Sequence, residues 1–108
     1  DDIGAQKILD DALLLESLGV SVIVLECIPR ELAKNVSRSL KIPTIGIGAG
    51  SDCDGQVLVS YDMLGITSGR LPRFARNFMT GKGSVRLAIE SFNEEVKAGT
   101  YPSIDETY

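Results

Sequence analysis

The chain has 108 residues, of which 44% are hydrophobic and 24% are charged, and its formal net charge at pH 7 is −4. This composition is ordinary for a soluble globular domain or part of one. An acidic chain without a lysine- or arginine-rich run argues against a nucleic-acid-binding surface, and no apolar run approaches the length of a membrane span. We therefore expect a cytoplasmic protein that binds neither nucleic acid nor membrane.

The histidine and cysteine content restricts the chemistry that this chain can support. It contains no histidine, which excludes Ser-His-Asp and Cys-His nucleophile systems and His-based zinc sites from it. Its two cysteines, Cys27 and Cys53, fit no metal-ligand spacing. Reduced thiols are the expectation, with one disulfide as the minor alternative. Any acid–base catalysis by this chain would therefore use carboxylates, lysine, tyrosine or cysteine.

The first half of the chain predicts two helices and two strands in alternation. Residues 3–18 carry an amphipathic helical pattern that stops at a glycine. The near-continuous apolar run at 20–25 predicts a parallel strand buried on both faces. A second helix follows Pro29 and runs to about Leu40, and residues 42–50 predict a second buried strand. This spacing is that of a βαβ unit and predicts a parallel sheet.

The second half of the chain predicts one more strand and two more helices. Residues 56–64 are a third strand or a strand that passes into the start of a helix. Residues 71–79 have apolar side chains at helical spacing and predict a helix. A last helix is capped by Ser84 and ended by Gly99, and the polar tail after Thr100 is expected to be loose. A stand-alone α/β domain and a piece of a barrel both fit, but only the barrel removes the open sheet edges.

Glu26 stands where the first strand becomes a loop. In α/β folds the carboxyl ends of the strands collect ligand-binding and catalytic groups. The alternative is a capping or solvated glutamate, and position alone leaves both open.

The second strand carries three glycines, Gly46, Gly48 and Gly50. Their spacing fits neither a dinucleotide-binding loop, which needs a third glycine where Ser or Cys stands, nor a Walker loop, which needs lysine where Gln stands. Two interpretations remain open. The loop could present backbone N–H groups to an anion or a flat ring, or the glycines could serve tight packing and turning.

Two further features are interpreted chiefly as structural. Asp62 could be a helix cap, a salt-bridge partner or a distant site residue, and the structural roles are favoured. The positive residues Arg70, Arg73, Arg76 and Lys82 are typical of a solvated face, with contact to an acidic ligand or a subunit as the alternative.

Several segments of the chain, in order, resemble one family. They are Leu-Glu-Cys-Ile-Pro at 25–29, Ile-Pro-Thr-Ile-Gly-Ile-Gly-Ala-Gly at 42–50, Asp-Gly-Gln-Val-Leu-Val at 54–59, Asp-Met-Leu-Gly at 62–65 and Pro-Arg-Phe-Ala-Arg-Asn-Phe at 72–78. Together they resemble the C-terminal portion of ketopantoate hydroxymethyltransferase, a family of pantothenate biosynthesis. Arg73 and Arg76 stand where lysine is usual in that family.

The resemblance implies a (β/α)8 TIM barrel of the phosphoenolpyruvate/pyruvate class. Residues 1–108 would be the C-terminal segment of that single domain and would supply about the last three strands with their helices. A full barrel takes about 250 residues, so the N-terminal part would lie outside this chain, which does not begin with Met. The resemblance also implies a homo-oligomer, a decamer in the family.

The resemblance further implies a one-carbon transfer from 5,10-methylenetetrahydrofolate to 3-methyl-2-oxobutanoate, giving 2-dehydropantoate. The family's general base falls on Glu26. Desolvation at the mouth of an apolar strand would raise the affinity of this carboxylate for a proton, which suits that role. Gly48 and Gly50 would lie near the substrate or cofactor. The family uses Mg²⁺ bound to the keto acid, and its metal ligands are expected in the N-terminal part, none of them in this chain. The chain alone should therefore be inactive. The rival hypothesis is a non-catalytic α/β module that binds an anion or a partner chain.

Overall fold

The structure, a computed structural model, describes all residues from 1 to 108. Its elements, in chain order, are α1 (Asp2–Ser17), β1 (Ile23–Glu26), α2 (Arg30–Ser39), β2 (Thr44–Ile47), β3 (Gly55–Gln56), α3 (Ser60–Met63), α4 (Val85–Ala98) and a 3-10 helix at Ile104–Glu106. None of these helices combines the length and the apolar character that crossing a bilayer requires. The predicted α/β class is confirmed.

The three strands form one parallel sheet in the order β1-β2-β3. Ile23 is paired with Thr44 at one end of β1, and Glu26 is paired with Ile47 at the other. Helix α2 connects β1 to β2, so the predicted βαβ unit and parallel sheet are both confirmed. All three strands therefore end at the same edge of the sheet.

One face of the sheet is covered by α1 and α2. The core there consists of seven buried residues, Ala12, Ile23, Leu25, Ala33, Val36, Leu40 and Ala49. Helix α2 contributes side chains that are fully removed from solvent at Ala33 and Val36, at the helical spacing predicted for its buried face. Helix α1 contributes less than its pattern predicts, because Leu15 and Leu18 are exposed.

The opposite face of the sheet is open. Val24 on β1 is 58% exposed, and Val22, Val57 and Val59, which flank the strands, are 44% to 53% exposed. Alternation along β1 places Ile23 and Leu25 in the core and Val24 and Glu26 on the open face. The prediction that this strand is buried on both faces is therefore wrong for residues 1–108, in which Val24 is 58% exposed.

The third strand is short. Only Gly55–Gln56 pairs with β2, and α3 begins at Ser60. Of the two predictions for residues 56–64, the strand that passes into a helix is confirmed. The apolar run of Val57, Leu58 and Val59 crosses from sheet to helix rather than extending the ladder.

Residues 71–79 do not form a helix, so that prediction is wrong. The segment is a series of turns that buries Phe74 and Phe78 in a second core cluster. Pro72 has no N–H to donate, and the N–H of Phe78 donates across the fold to the carbonyl oxygen of Met63 at 2.8 Å. The aromatic spacing thus serves tertiary packing rather than a helical face.

The last helix begins and ends as predicted. The Ser84 Oγ accepts a hydrogen bond from the N–H of Leu87 at 3.2 Å. Gly99 ends α4 with φ of 73°, the left-handed conformation that favours glycine at this position. From α4, Ala88 is buried and Phe92 and Val96 pack against the second cluster.

The tail is ordered, and the prediction of a loose tail is wrong. We call residues 101–108 the C-terminal clasp. Tyr101 and Thr107 are 2% and 8% exposed, and Ser103 and Glu106 form a reciprocal capping box around the 3-10 helix. Few apolar residues mark this segment in the sequence, but Tyr101 stacks edge-on against both Phe78 and Phe92.

Candidate functional site at the carboxyl end of the sheet

Glu26 is the last residue of β1 and lies on the open face of the sheet. Its side chain is exposed and shares that face with Val24. Residues 1–108 therefore leave this carboxylate in contact with solvent and, contrary to the expectation from the sequence, do not desolvate it. The position at the carboxyl end of a parallel strand is the predicted one, and the role of general base stays a prediction.

Cys27 turns the chain out of β1. It has φ of 51°, the only residue other than glycine with a positive φ. Its N–H donates to the carbonyl oxygen of Ile47 at 2.9 Å, so the turn is anchored to the end of β2. Both Cys27 and Cys53 are free thiols, as predicted, and burial raises the pKa of the Cys53 thiol.

Gly48 and Gly50 lie buried in the loop after β2, both with positive φ. Neighbouring side chains fill the space where their own side chains would be. A Cβ on Gly48 would lie 2.5 Å from Cδ1 of Phe74, and one on Gly50 would lie 2.6 Å from Cγ of Arg30. Tight packing therefore accounts for both glycines, and their contact with a substrate or cofactor stays a prediction.

An ion pair joins the first residue of α2 to the loop that follows β2. The Arg30 Nε donates to Asp52 Oδ2 at 2.7 Å, with both side chains about one third exposed or less. This hydrogen bond holds the pKa of the Asp52 carboxyl below its usual range. The pair fixes the start of α2 against the glycine loop.

The structural interpretation of Asp62 fits its contacts. The carboxylate is buried and accepts a hydrogen bond from Thr67 Oγ1 at 2.6 Å. This bond ties α3 to the loop that follows it. Asp62 lies inside the helix rather than at its N-cap, which is Val59.

Arg76 departs from the predicted solvated face. Its guanidinium bonds to Glu106 and Glu95 and lies 5.0 Å from the ring centroids of both Phe78 and Tyr101. Sequence reasoning missed this cluster because no local spacing links position 76 to positions 95 and 106. The one signal was that four of the six aromatic residues of the chain, Phe74, Phe78, Tyr101 and Tyr108, lie close to this arginine in sequence or in the clasp.

The chain by itself does not fit a magnesium site. No group of three or more Asp, Glu, Cys or His side chains is placed to hold a metal ion, whereas Mg²⁺ requires an octahedral set of oxygen ligands. No cavity of the structure is lined by Glu26, Gly48 or Gly50. An enclosed site at this edge would need groups from outside residues 1–108.

Comparison with known proteins decides the family. Residues 1–104 match the sequence model of ketopantoate hydroxymethyltransferase, which covers nearly the whole chain. The chain belongs to this family. The resemblance seen in the sequence segments is thereby confirmed.

Similar ketopantoate hydroxymethyltransferases carry the name 3-methyl-2-oxobutanoate hydroxymethyltransferase. The one from Vesicomyosocius okutanii is 58% identical over 105 residues, which is 97% of this chain and 40% of the relative. The one from Ruthia magnifica is 56% identical over 108 residues, covering 100% of this chain and 42% of the relative. The one from Shewanella denitrificans is 50% identical over 107 residues. The chain thus spans about 40% of the length of these relatives.

Proposed function

We propose that the chain is the C-terminal segment of a (β/α)8 barrel that transfers a hydroxymethyl group to 3-methyl-2-oxobutanoate and forms 2-dehydropantoate. The family membership and the printed names of the relatives support the acceptor and the transferred group. The one-carbon donor, 5,10-methylenetetrahydrofolate, and the Mg²⁺ ion belong to the proposal as well. Their binding groups would come from outside this chain.

The open sheet face is the structural feature that supports a barrel. In a (β/α)8 barrel the outer face of each strand packs on helices and the inner face packs on side chains from the other strands. Here Ile23 and Leu25 pack on α1 and α2, while Val24 on the other face and the valines at 22, 57 and 59 are 44% to 58% exposed. The preceding strands of the barrel would cover these valines.

The placement of Glu26 is the observation that carries the catalytic proposal. It lies on the same face as Val24, two residues further toward the carboxyl end of β1. In a barrel it would therefore project at the mouth, where active sites lie. The hydrogen at C3 of the keto acid is acidic because it is next to a carbonyl group. We assign Glu26 as the base that removes this proton and leaves an enolate. The enolate carbon forms a bond to the one-carbon unit, the bonds from that unit to the folate nitrogens break, water supplies the hydroxyl group, and the released folate amine takes up the proton.

The test is the exchange of the C3 hydrogen of 3-methyl-2-oxobutanoate in deuterated water, followed by NMR in the complete protein that contains this chain. Glu26→Gln should lower the exchange rate about 10²- to 10⁴-fold, the usual contribution of a general base. The control is Glu31→Gln, which alters an exposed carboxylate in the first turn of α2. Unchanged exchange in folded Glu26→Gln would refute this role and would favour a different base or the non-catalytic module.

The 108 residues alone should form no 2-dehydropantoate. The reason is that they hold Glu26 exposed, without a metal site or an enclosing cavity. Product formation by the isolated, purified chain would show that the barrel proposal is wrong.

A further inference from the structure

We propose that Phe74 is a positioning residue for Glu26, held in place by the C-terminal clasp. The inference rests on the proposed function of Glu26 and adds a second element to that site. It starts from the loop after β2, where the ring of Phe74 lies directly on Gly48.

The contact between Phe74 and Gly48 leaves no spare room. A Cβ on Gly48 would meet Cδ1 and Cε1 of the Phe74 ring at 2.5 and 2.7 Å, and would lie 3.3 Å from the Sγ of Cys27. The ring and the thiol therefore occupy the same side of this glycine. Phe74 is only 6% exposed, so its ring cannot swing away without opening the second core cluster.

The residue next to Glu26 is held by the same structure. Cys27 follows Glu26 directly, and its N–H is bonded to Ile47, one residue before Gly48. A shift of Gly48 would therefore move the hydrogen-bonded turn at Cys27 and rotate the carboxylate that precedes it. Phe74 acts on Glu26 through this backbone connection and touches no reacting atom itself.

The C-terminal clasp in turn holds both the backbone and the ring of Phe74 in place. Tyr101 donates its hydroxyl hydrogen to the carbonyl oxygen of Phe74. The ring of Tyr108 packs edge-on against the Phe74 ring at 6.3 Å, and the Arg73 guanidinium lies 5.1 Å from the Tyr108 ring centroid. The N–H of Arg30, at the start of α2, donates to the main-chain oxygen of Tyr108 at 3.1 Å. The clasp thus contacts both Phe74 and the start of α2, the two segments that lie on either side of the turn after Glu26.

The test is a double-mutant cycle of Phe74→Leu and Glu26→Gln in the complete protein, with C3 hydrogen exchange as the readout. Phe74→Leu alone should lower exchange about 10- to 100-fold, the scale of a misplaced catalytic group. It should leave the KM for the keto acid nearly unchanged. In the Glu26→Gln background the same substitution should have almost no further effect, because the group that it positions is already gone.

The control is Phe92→Leu, which removes an aromatic ring that contacts Phe78 and Tyr101 in the same cluster. It should weaken thermal stability without a comparable loss of exchange. If Phe74→Leu does not fold, Tyr108→Leu replaces it in the cycle, since Tyr108 is 44% exposed and packs on the Phe74 ring. That variant should give a smaller loss with the same non-additivity.

The failures are distinguishable. Unchanged exchange in Glu26→Gln alone would refute the proposed function and the positioning role with it. A loss in Glu26→Gln combined with equal fractional losses from Phe74→Leu in both backgrounds would refute only the positioning role. Full exchange in Phe74→Leu would refute it as well.

Discussion

At the scale of single residues, the Arg76 side chain makes more hydrogen bonds than any other side chain of the chain. Its guanidinium donates to both oxygens of Glu95 and both oxygens of Glu106, at distances between 2.6 and 2.9 Å. The aromatic rings of Phe78 and Tyr101 contact it as well. Hydrogen bonds to Glu106, followed by those to Glu95, raise the pKa of Arg76 and keep it charged. The side chain is 28% exposed, so its bonds compete less with water than those of a surface pair.

We expect Arg76→Met to cost about 2 kcal/mol, because it leaves two half-buried carboxylates without their donor. In the complete protein this should lower the midpoint of thermal unfolding by about 4–8 °C. The control is Arg86→Met, which breaks a similar ion pair with Glu90 at a side chain that is 86% exposed. That pair should be worth about 0.5 kcal/mol or less. Equal losses in the two variants would contradict the assigned role of Arg76.

At the scale of elements, the C-terminal clasp depends on an ionised Glu106. Burial of Glu106 opposes its ionisation, but the hydrogen bonds from Arg76 and Ser103 outweigh it, so the pKa lies below the ordinary value of 4.5. A carboxyl group with a lowered pKa in the folded state contributes stability above its unfolded pKa and loses it as the pH falls. Ionised Glu106 should therefore stabilise the clasp at neutral pH, and this stabilisation should be lost in acid.

The pH prediction concerns the difference between the native protein and Glu106→Gln. The variant should be less stable at pH 7, and the gap between the two thermal midpoints should stay constant down to about pH 4.5. Below that pH the gap should narrow as Glu106 becomes protonated in the native protein. Thermal unfolding of both proteins at a series of pH values measures it. A gap that widens in acid would contradict the sign of this argument.

At the scale of the whole molecule, the main unexplained feature is the open sheet face, which leaves apolar side chains exposed to solvent. Val24 on β1 and the valines at 22, 57 and 59, which flank β1 and β3, are roughly half exposed, whereas the other side of the sheet is a packed core. Contiguous exposed apolar surface marks a site that another segment covers. The barrel proposal assigns that role to the preceding strands.

The barrel proposal predicts that Val24→Asp destabilises the complete protein but leaves the fold of the separately produced chain unchanged. In the complete protein the aspartate would be buried, so we expect a loss of about 3 kcal/mol or more, seen as low soluble yield and a lower thermal midpoint. In the separately produced chain, where Val24 is 58% exposed, the far-UV circular dichroism should be unchanged. The control is Ile104→Asp, at a position 69% exposed in the clasp. A harmless Val24→Asp in the complete protein would refute the barrel.

The local elements were predictable because their signals lie within a few residues of one another. The apolar run before Glu26 and the glycines after β2 specify strands and turns, and Ser84 and Gly99 specify the ends of α4. The alternation of Ala33 and Val36 with charged residues specifies the buried face of α2. For these elements the chemistry of each turn or cap is contained in its own sequence.

The site was only partly predictable. The place of Glu26 at the end of β1 followed from the strand pattern, and the family resemblance supplied its expected role. The partners of Gly48 and Gly50 did not follow, since Phe74 and Arg30 approach them from distant parts of the chain. A glycine required by packing and a glycine required by a ligand look alike in a sequence.

By itself, the sequence determined the α/β class, the βαβ order, the helix ends and the family of this chain. Tertiary structure alone decided that residues 71–79 are turns, that the tail is a clasp, and that Arg76 joins Glu95 to Glu106. The physical reason is the range of the interactions. Caps, turns and helical periods act over a few residues. The aromatic and ionic contacts between residues 73–78 and the clasp instead join positions 23 (Phe78–Tyr101) to 35 (Arg73–Tyr108) apart, which local patterns do not encode.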